Sequence, residues 1–556
     1  MTISSERYLQ QLRTAQSIMP DMLPPDFPYS EFQMNLSKYN EHDTWYDGTI
    51  LDEELEIAGK TVKKYPVKIN PIKGTCVRHV AMLFGDIADS DQVLVTPRVA
   101  PRSHEEDTDE ERNKRNALEH VLLQAWYENN GRDIQIGNGL MSQRYGGCVF
   151  YVKYDPISSD KTIPISIEAP SPKFFVGIPN SSNPFDLEEA WIVKPISRIE
   201  LENQNIVEEV TGAMGGISPW KDDIYWLSEH YTKRRYEVYV NSKRAARSVL
   251  MPSGKRGLIP FGPVNVLGIV PAVYIPHVRN ATSFYGDNVF DAVKGIVLEM
   301  NSRVADYGDA VSADSHDIVV TRNINGQIVR KSLVPGVMQV DIGSGVNVTG
   351  QEAQPDAFSL RRSSTASTAM EKLVTEILYK QYRRDAIHPA VCDGEDEGSQ
   401  RSSQTLITRM WALETHAQME RVEWTAGLNM VAKIIIRILT TNGNDLGITD
   451  EHAKMRIRQI WYPTLKRDRM DIVTEVATRL GANLSSIKHG LDMMGDIEDV
   501  EKELEQIYDE KEELSKFEQK NPFEEGGGGF QNKKVKDPES LAKPKLAKPS
   551  STKEGD

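Results

Sequence analysis

FYGDNVFDAVKGIVLEMNSRVADYGDAV, residues 284–311, begins the stretch of sequence that decides the fold. Apolar residues recur along it at alternating steps of about three and four, which is the spacing of one face of an amphipathic helix. The pattern predicts a helix at residues 286–313. A helix of about 25 residues would extend roughly 38 Å at a rise of about 1.5 Å per residue.

Two more helices are predicted in the same stretch. The second occupies residues 358–385, and the third, a long helix followed by a strand, occupies residues 403–465. Apolar residues in the third helix keep helical register far enough for a length of about 60 Å. A non-helical loop rich in acidic residues, 386–402, separates the two.

A small β insert, residues 314–357, is predicted between the first two helices. Asn-Gly between two strand-like runs is the strongest short signal for a β-hairpin, because a type I′ turn needs a positive φ at both positions. A third short strand follows the hairpin. Strands this small have little core and unpaired edges, so we expect neighbouring copies of the chain to pair with them. The residues assigned to this interface are Ile318, Val320, Asn325, Gly326 and Ile328.

The rest of the chain divides by composition into four parts. Residues 1–60 are polar and rich in Tyr and Pro, and we expect short helices and irregular arms there, without a core. Residues 61–285 alternate helical and strand-like patterns, which predicts an α+β body with an antiparallel sheet. Residues 466–520 are predicted to form three short helices. Residues 521–556 contain Gly and Lys-Pro repeats without apolar periodicity, which is typical of disorder.

Composition excludes several classes of protein. The chain of 556 residues is 39% hydrophobic and 26% charged, as is typical of a soluble globular protein with two to four domains. A net charge of −15 argues against a protein that grips nucleic acid over its whole surface. The cysteines, Cys76, Cys148 and Cys392, are too far apart to predict a disulfide framework or a zinc site. We expect neither a secretory signal nor a membrane span.

The acidic loop is the one cluster of residues that could carry chemistry. One hypothesis is a metal-dependent nuclease, since clustered carboxylates can hold a divalent cation. Such sites draw their ligands from rigid, separated elements, whereas these neighbours share one loop. A second hypothesis is an exposed acidic surface. The chain has no motif of an ATPase, a zinc protease or a Ser hydrolase, so we predict no catalysis, cofactor or bound metal. The loop residues considered are His388, Asp393, Glu395, Asp396 and Glu397.

This order of parts resembles the portal proteins of tailed double-stranded DNA bacteriophages. The resemblance covers roughly residues 40–515 and includes Trp45-Tyr46-Asp47-Gly48, the helix that ends at Phe84-Gly85, and Ile460-Trp-Tyr-Pro463. It implies a mainly helical α+β fold. The parts would be an α+β wing, a two-helix stem, a small β clip, a long kinked helix, and a crown of helices.

The resemblance also implies a function and its partners. About twelve copies would form a ring at one capsid vertex. Viral DNA would be pumped in through this ring by the terminase motor and would later be ejected. The expected partners are double-stranded DNA, the terminase motor, major capsid and scaffold proteins, and head–tail connector or adaptor proteins. The protein would lie in the virion, and in the host cytoplasm during assembly.

In portal proteins the loop between the second stem helix and the long helix projects into the channel. By the resemblance, residues 386–402 would do so here. A carboxylate about 8 Å from a phosphate in water repels it by roughly 0.5 kcal/mol, which keeps DNA from adhering without blocking it. Basic residues of the second stem helix could form charge rings or ordinary ion pairs, and both remain open. Another structural head or tail component is the nearest alternative, and the nuclease is the alternative from a different class. The basic residues are Arg361, Arg362, Lys380, Arg383 and Arg384.

Overall fold

The computed structural model describes most of the chain, in ranges separated by short gaps. Residues 1–466 form one unit and residues 467–556 form a second. The described ranges are 23–57, 60–65, 67–85, 93–100, 108–155, 161–208, 224–250, 256–260, 264–280, 282–314, 318–322, 338–342, 356–360, 365–389, 403–442, 446–449, 451–462, 469–482, 484–494, 503–504 and 506–511.

Both helices and strands are abundant, and the fold is mixed α+β. The first unit contains helices α1 Tyr29–Asp47, α2 Ile72–Phe84, α3 Asp109–Glu128, α4 Gly131–Tyr145, α5 Arg198–Asn203, α6 Lys294–Asp314, α7 Thr365–Lys372, α8 Tyr379–Asp385 and α9 Ser403–Asn442. Its strands are β1 Glu54–Ile57, β2 Lys60–Lys63, β3 Val95–Ala100, β4 Gly147–Tyr154, β5 Ile165–Glu168, β6 Phe175–Pro179, β7 Leu187–Ser197, β8 Ile206–Glu208, β9 Ile224–Thr232, β10 Tyr236–Val240, β11 Lys243–Leu250, β12 Arg256–Pro260, β13 Ala272–Pro276, β14 Ile318–Arg322, β15 Met338–Ile342, β16 Asp356–Leu360 and β17 Arg456–Trp461. The second unit contains α10 Arg469–Gly481 and α11 Ile487–Met494.

The sheets of the body are antiparallel. The largest runs β12-β11-β10-β9-β7-β6, with β8 also paired to β11. A second sheet has the order β13-β4-β5, and β17 pairs with β3. β4 and β13 are buried on both faces, because one face of their sheet packs against helices, α9 among them, and the other face packs against the large sheet. No helix in the described ranges is both long and apolar enough to cross a membrane.

The long helix α9 passes from a half-exposed surface into the main core. Between residues 408 and 422 one face is buried and the opposite face is exposed. From Trp424 to Leu439 most side chains are buried. The run Ile434-Ile435-Ile436 requires this, because three consecutive helical residues point in different directions. This half of α9 packs against α2, α3, β4 and β13. The helix therefore anchors the body while leaving its first half partly uncovered.

The N-terminal segment contributes to the core, contrary to the expectation of an irregular arm. Helix α1 buries Phe32, Leu36, Tyr39 and Trp45. Its buried face also contains the polar residues Asn35 and His42, so its average hydropathy is low although the helix is packed. Tyr, Trp and His bury an apolar body behind a polar tip, and this concealed the helix in the sequence.

We call α6 and the helical segment from α7 through α8 the helical arm. Each of its two helices begins later in the sequence than predicted. The first helix begins at Lys294, because residues near Gly286 are held extended by a bridge between Val278 and Asp287. The second begins at Thr365, after β16 has taken residues 356–360 into a sheet. A π-helical turn, Leu373–Leu378, joins α7 to α8.

A three-stranded sheet of order β15-β14-β16 lies between the two helices of the arm. β14 and β15 run parallel, and β14 and β16 run antiparallel. Ile318 and Val320 lie on the central strand. The predicted turn at Asn325-Gly326 and the strand residue Ile328 lie outside the described residues. The third strand predicted from sequence is present as β15, whereas residues 358–360 of β16 were assigned from sequence to the following helix.

Two glycines meet where the body leads into the arm. Gly146 has φ +84°, and a Cβ on it would lie 2.3 Å from the carbonyl oxygen of Gly286. A Cβ on Gly286 would lie 2.4 Å from the oxygen of Gly146. The carbonyl of Gly146 accepts a hydrogen bond from the backbone N–H of His277, 2.9 Å away. Only glycine at both positions allows the two backbones to cross this closely.

Candidate functional site

The acidic loop leaves the body from an ordered base at residues 386–388. Ile387 has φ +50°, a left-handed conformation that costs a β-branched residue roughly 1–2 kcal/mol. The backbone N–H groups of Ala386 and His388 donate to the carbonyls of Tyr382 and Arg383, both at 2.8 Å. These bonds end α8 in a tight turn and aim the chain away from the helix.

One face of α2 holds this base in place. The hydroxyls of Thr75 and Tyr382 are hydrogen bonded at 2.7 Å. Arg78 Nη1 donates to Nε2 of His388 at 2.7 Å, and His79 Nε2 lies 3.0 Å from the carbonyl oxygen of Ala386. The residues that contact the loop base share one face of α2, because positions 75, 78, 79 and 82 follow helical spacing.

Ile387 closes the base from the other side. It packs against a small buried cluster formed by Met82 of α2 with Met410, Leu413 and Ala417 of α9. The base is therefore fixed to both α2 and α9. Strain at Ile387 is offset by these contacts, as expected where the surroundings determine the backbone.

A buried group of histidines surrounds Glu420 beside this base. Nε2 of His277 and Nε2 of His416 lie 2.9 and 3.0 Å from Glu420 Oε1. Gln143 Nε2 donates to Glu420 Oε2 at 2.8 Å. The ring of His79 lies edge-on to that of His416, with centroids 5.3 Å apart. We call His79, His277, His416 and Glu420 the histidine cluster.

Burial and charge act in opposite directions within the histidine cluster. Burial opposes ionisation of Glu420, but His277 and His416 outweigh it and lower the pKa of Glu420 to about 2. Burial likewise opposes the charged form of His277, but Glu420 and the carbonyl of Asp287 raise its pKa. Burial dominates at His79 and lowers its pKa to about 3, so this ring is neutral. The protein therefore keeps one carboxylate ionised deep in its body.

The structure describes only some of the loop and charge-ring residues predicted from sequence. His388 is buried and bonded to Arg78, so it belongs to the anchored base and is not available at an exposed surface. Lys380 and Arg384 are exposed, and Arg384 pairs with the adjacent Asp385. Arg383 stacks over the ring of Tyr379 at 4.3 Å. Other predicted residues, Arg361, Arg362, Asp393, Glu395, Asp396 and Glu397, lie outside the described residues.

The helical arm exposes most of its surface. Val293, Val297, Met300 and Tyr382 form a core at its base. Beyond that base, no side chain among the described residues 302–309, 311 and 368–381 is buried. Among the described residues the two helices bury little apolar surface beyond this base, which is typical of a segment that packs against a partner.

A second uncovered surface lies on the first half of α9. Trp411, Met419 and Val422 are exposed on the side opposite the buried face, at helical spacings of eight and eleven residues. We call these three residues the α9 face. Exposed apolar side chains that share one face of a helix favour a protein–protein contact there.

Residues 264–516 match the family described as phage portal protein, SPP1 Gp6-like. Over these residues, a little less than half of the chain, the sequence is similar to phage portal proteins. The match begins before β13 and extends through the arm and α9 to beyond α11. The resemblance seen in the sequence is thereby confirmed, and the portal family is a structural one. A search of curated proteins returned no match.

The histidine cluster was missed in the sequence. Its members come from α2, from the segment after β13, and from α9, so more than 300 residues separate the first from the last. Only His416 and Glu420 stand at a recognisable spacing of four on one helix. The expectation of no metal site was drawn from the cysteines and the acidic loop, and it did not consider these histidines.

Proposed function

We propose that this chain is the subunit of a ring-shaped portal channel at one capsid vertex. Viral DNA is packaged through the ring by the terminase motor and is later ejected, and head–tail connector proteins attach to it. The chain itself is structural. The proposal rests on the family match together with the uncovered helical arm.

The uncovered surfaces favour copies of the same chain as the covering partner. The arm buries no described side chain beyond its base, and the α9 face is exposed on the same unit. A heterologous contact that closes on itself produces a ring, in which each copy covers its neighbour. We infer a ring of about twelve copies from the portal family, with the arms as stem and the sheet β15-β14-β16 as clip.

The acidic loop is proposed to line the channel. Its base is fixed between α2 and α9, so the segment that follows is presented from a rigid support. Four carboxylates per copy would each repel a phosphate about 8 Å away by roughly 0.5 kcal/mol. A basic lining would instead bind DNA through counterion release and would slow its passage.

Mass measurement of the purified full chain tests the ring. A closed assembly of many subunits is expected from native mass spectrometry and from images down its axis. A monomer that cleaves DNA in the presence of Mg²⁺ would replace the portal proposal by the nuclease.

The channel lining has its own test. In the variant D393N/E395Q/D396N/E397Q we expect an intact ring and reduced DNA packaging, because the lining no longer repels phosphates. The matched control E53Q/E110Q/E202Q/E451Q makes the same change in charge at exposed sites of the body and should package normally. Packaging at the wild-type rate by the loop variant would remove the loop from the channel wall.

A further inference from the structure

We propose that the histidine cluster is a structural binding site for one Zn²⁺ ion, with His79, His277, His416 and Glu420 as its four ligands. This site does not depend on ring formation, since all four side chains come from one chain. It would join α2, the segment after β13, and α9.

The spacing of three of the ligand atoms, from His277, His416 and Glu420, is close to that of a tetrahedral zinc ion, and His79 lies next to them. Zn–N and Zn–O bonds are about 2.0–2.1 Å long, so two ligand atoms of a tetrahedral ion lie about 3.3 Å apart. Nε2 of His277 and Nε2 of His416 are 3.4 Å apart, and each lies 2.9–3.0 Å from Glu420 Oε1. One ligand atom from each of His79, His416 and Glu420 lies within 4.8 Å of the other two.

Two of the histidines direct one ring nitrogen to a backbone carbonyl and the other towards the cluster, where a metal would take the place of any proton on it. A backbone carbonyl only accepts, so Nε2 of His79 must donate to Ala386 and its lone pair is left on Nδ1. By the same reasoning Nδ1 of His277 donates to the carbonyl of Asp287, 2.9 Å away, and leaves Nε2 for the cluster. Metal-binding histidines characteristically have this second hydrogen bond to a carbonyl.

Nδ1 of His79 is a buried polar atom that has no hydrogen-bond partner among the residues that the structure describes. Burying such an atom costs free energy, and ligation of a cation would recover that cost.

The Glu420 carboxylate is also oriented for metal binding. Gln143 holds Oε2 of Glu420 and leaves Oε1 directed at the two histidines. The next residue, Arg421, points elsewhere, because its Nε and Nη2 donate to the carbonyls of Leu83 and Tyr462. Three imidazoles and one carboxylate suit zinc better than Mg²⁺ or Ca²⁺, which prefer oxygen ligands.

The site has a consequence for the acidic loop. The nitrogen of His79 that does not bind the metal holds Ala386, which is the first residue of the loop base. Zinc would therefore fix α2 to α9. Because α2 holds the loop base, the base would be fixed to α9 as well.

Zinc binding to the full chain tests this site. The protein is stripped with a chelator and dialysed, and Zn²⁺ alone is returned while the bound metal is counted. We expect about one Zn²⁺ per chain, and Co²⁺ in its place should give the visible absorption of a tetrahedral ion. X-ray absorption of the zinc form should show imidazole nitrogens as the main ligands.

Two variants make the result specific. Glu420→Gln removes the anionic ligand, and His79→Gln removes one imidazole while its amide can still donate to Ala386. Each should weaken Zn²⁺ binding by at least about tenfold. The control His452→Gln changes a buried histidine outside the cluster and should bind as wild type does. If Glu420→Gln fails to fold, His79→Gln decides alone.

Stripped wild-type protein that takes up no Zn²⁺ would overturn the site. Unchanged zinc affinity in folded His79→Gln would do the same, because the ion would then lie elsewhere. An octahedral Co²⁺ spectrum would also exclude the proposed ligands.

Discussion

Replacing Trp411 by Ala should weaken association between copies of the chain. Trp411 is 69% exposed in the single chain, and Met419 and Val422 beside it are 60% and 69% exposed. A neighbour that covers this α9 face removes all three side chains from water. Trp411 is the largest of them and accounts for most of the gain.

The structure sets the size of the effect. A fully covered aromatic side chain buries about 200 Å², so the exposed part of Trp411 corresponds to about 140 Å². At about 25 cal/mol per Å² this area is worth about 3.5 kcal/mol. Ordering the side chain offsets about 0.5–1.5 kcal/mol, which leaves about 2–3 kcal/mol per interface. The association constant of each interface should fall by a factor of about 30 to 150.

The assay is assembly as a function of protein concentration, followed by light scattering or native mass spectrometry. Trp411→Ala should require a correspondingly higher concentration to form the complete assembly. Tyr127→Ala is the matched control, since Tyr127 is an aromatic residue, 61% exposed, on helix α3 of the body. Assembly of Trp411→Ala at the wild-type concentration, or equal losses in both variants, would refute the assignment of the α9 face to a subunit contact.

Two further predictions concern stability. Arg421→Met should lower the unfolding free energy by about 3 kcal/mol in urea titrations, because the buried carbonyl of Leu83 and the partly buried carbonyl of Tyr462 lose a charged donor. Arg421→Lys should lose about half as much, and Arg437→Lys, at an exposed position on the same helix, should change it by less than about 0.5 kcal/mol. Equal losses at the two arginines would contradict this reasoning. Burial lowers the pKa of His42 to about 4. Between pH 6.5 and 4, His42 therefore binds a proton in the unfolded chain but stays neutral in the folded chain. Stability should therefore fall as pH drops through this range, by up to about 1.4 kcal/mol per pH unit from His42, and the curve of His42→Gln should be flatter. Identical slopes in urea titrations at stepped pH values would exclude His42 as the titrating group.

Local periodicity was a good guide wherever one helix face is apolar. The helix predicted from residue 403 is present as Ser403–Asn442, and the run at 318–324 contains the strand Ile318–Arg322. Periodicity failed where contacts distant in sequence decide the structure. Residues 356–360 form a strand only because β14, more than 30 residues earlier, offers its edge.

The site was harder to predict than the fold. A motif search depends on fixed spacing, and the histidine cluster has fixed spacing only between residues 416 and 420. The anchoring of the loop base was also hidden, since it depends on α2 and α8 meeting across some 300 residues. The acidic residues of the loop were visible because they are neighbours in the chain.

The crossing of Gly146 and Gly286 acts as the pivot of a lever. Helix α6 has 21 residues and is therefore about 30 Å long, and it departs from the body a few residues after this crossing. A methyl group at either glycine would force the two backbones apart. If that turned the helix by about 10°, its far end would move by about 5 Å, more than the spacing of two adjacent strands. A change at this distant point would thus be magnified where the sheet between the arm helices sits, and would spoil the fit of each copy to the next.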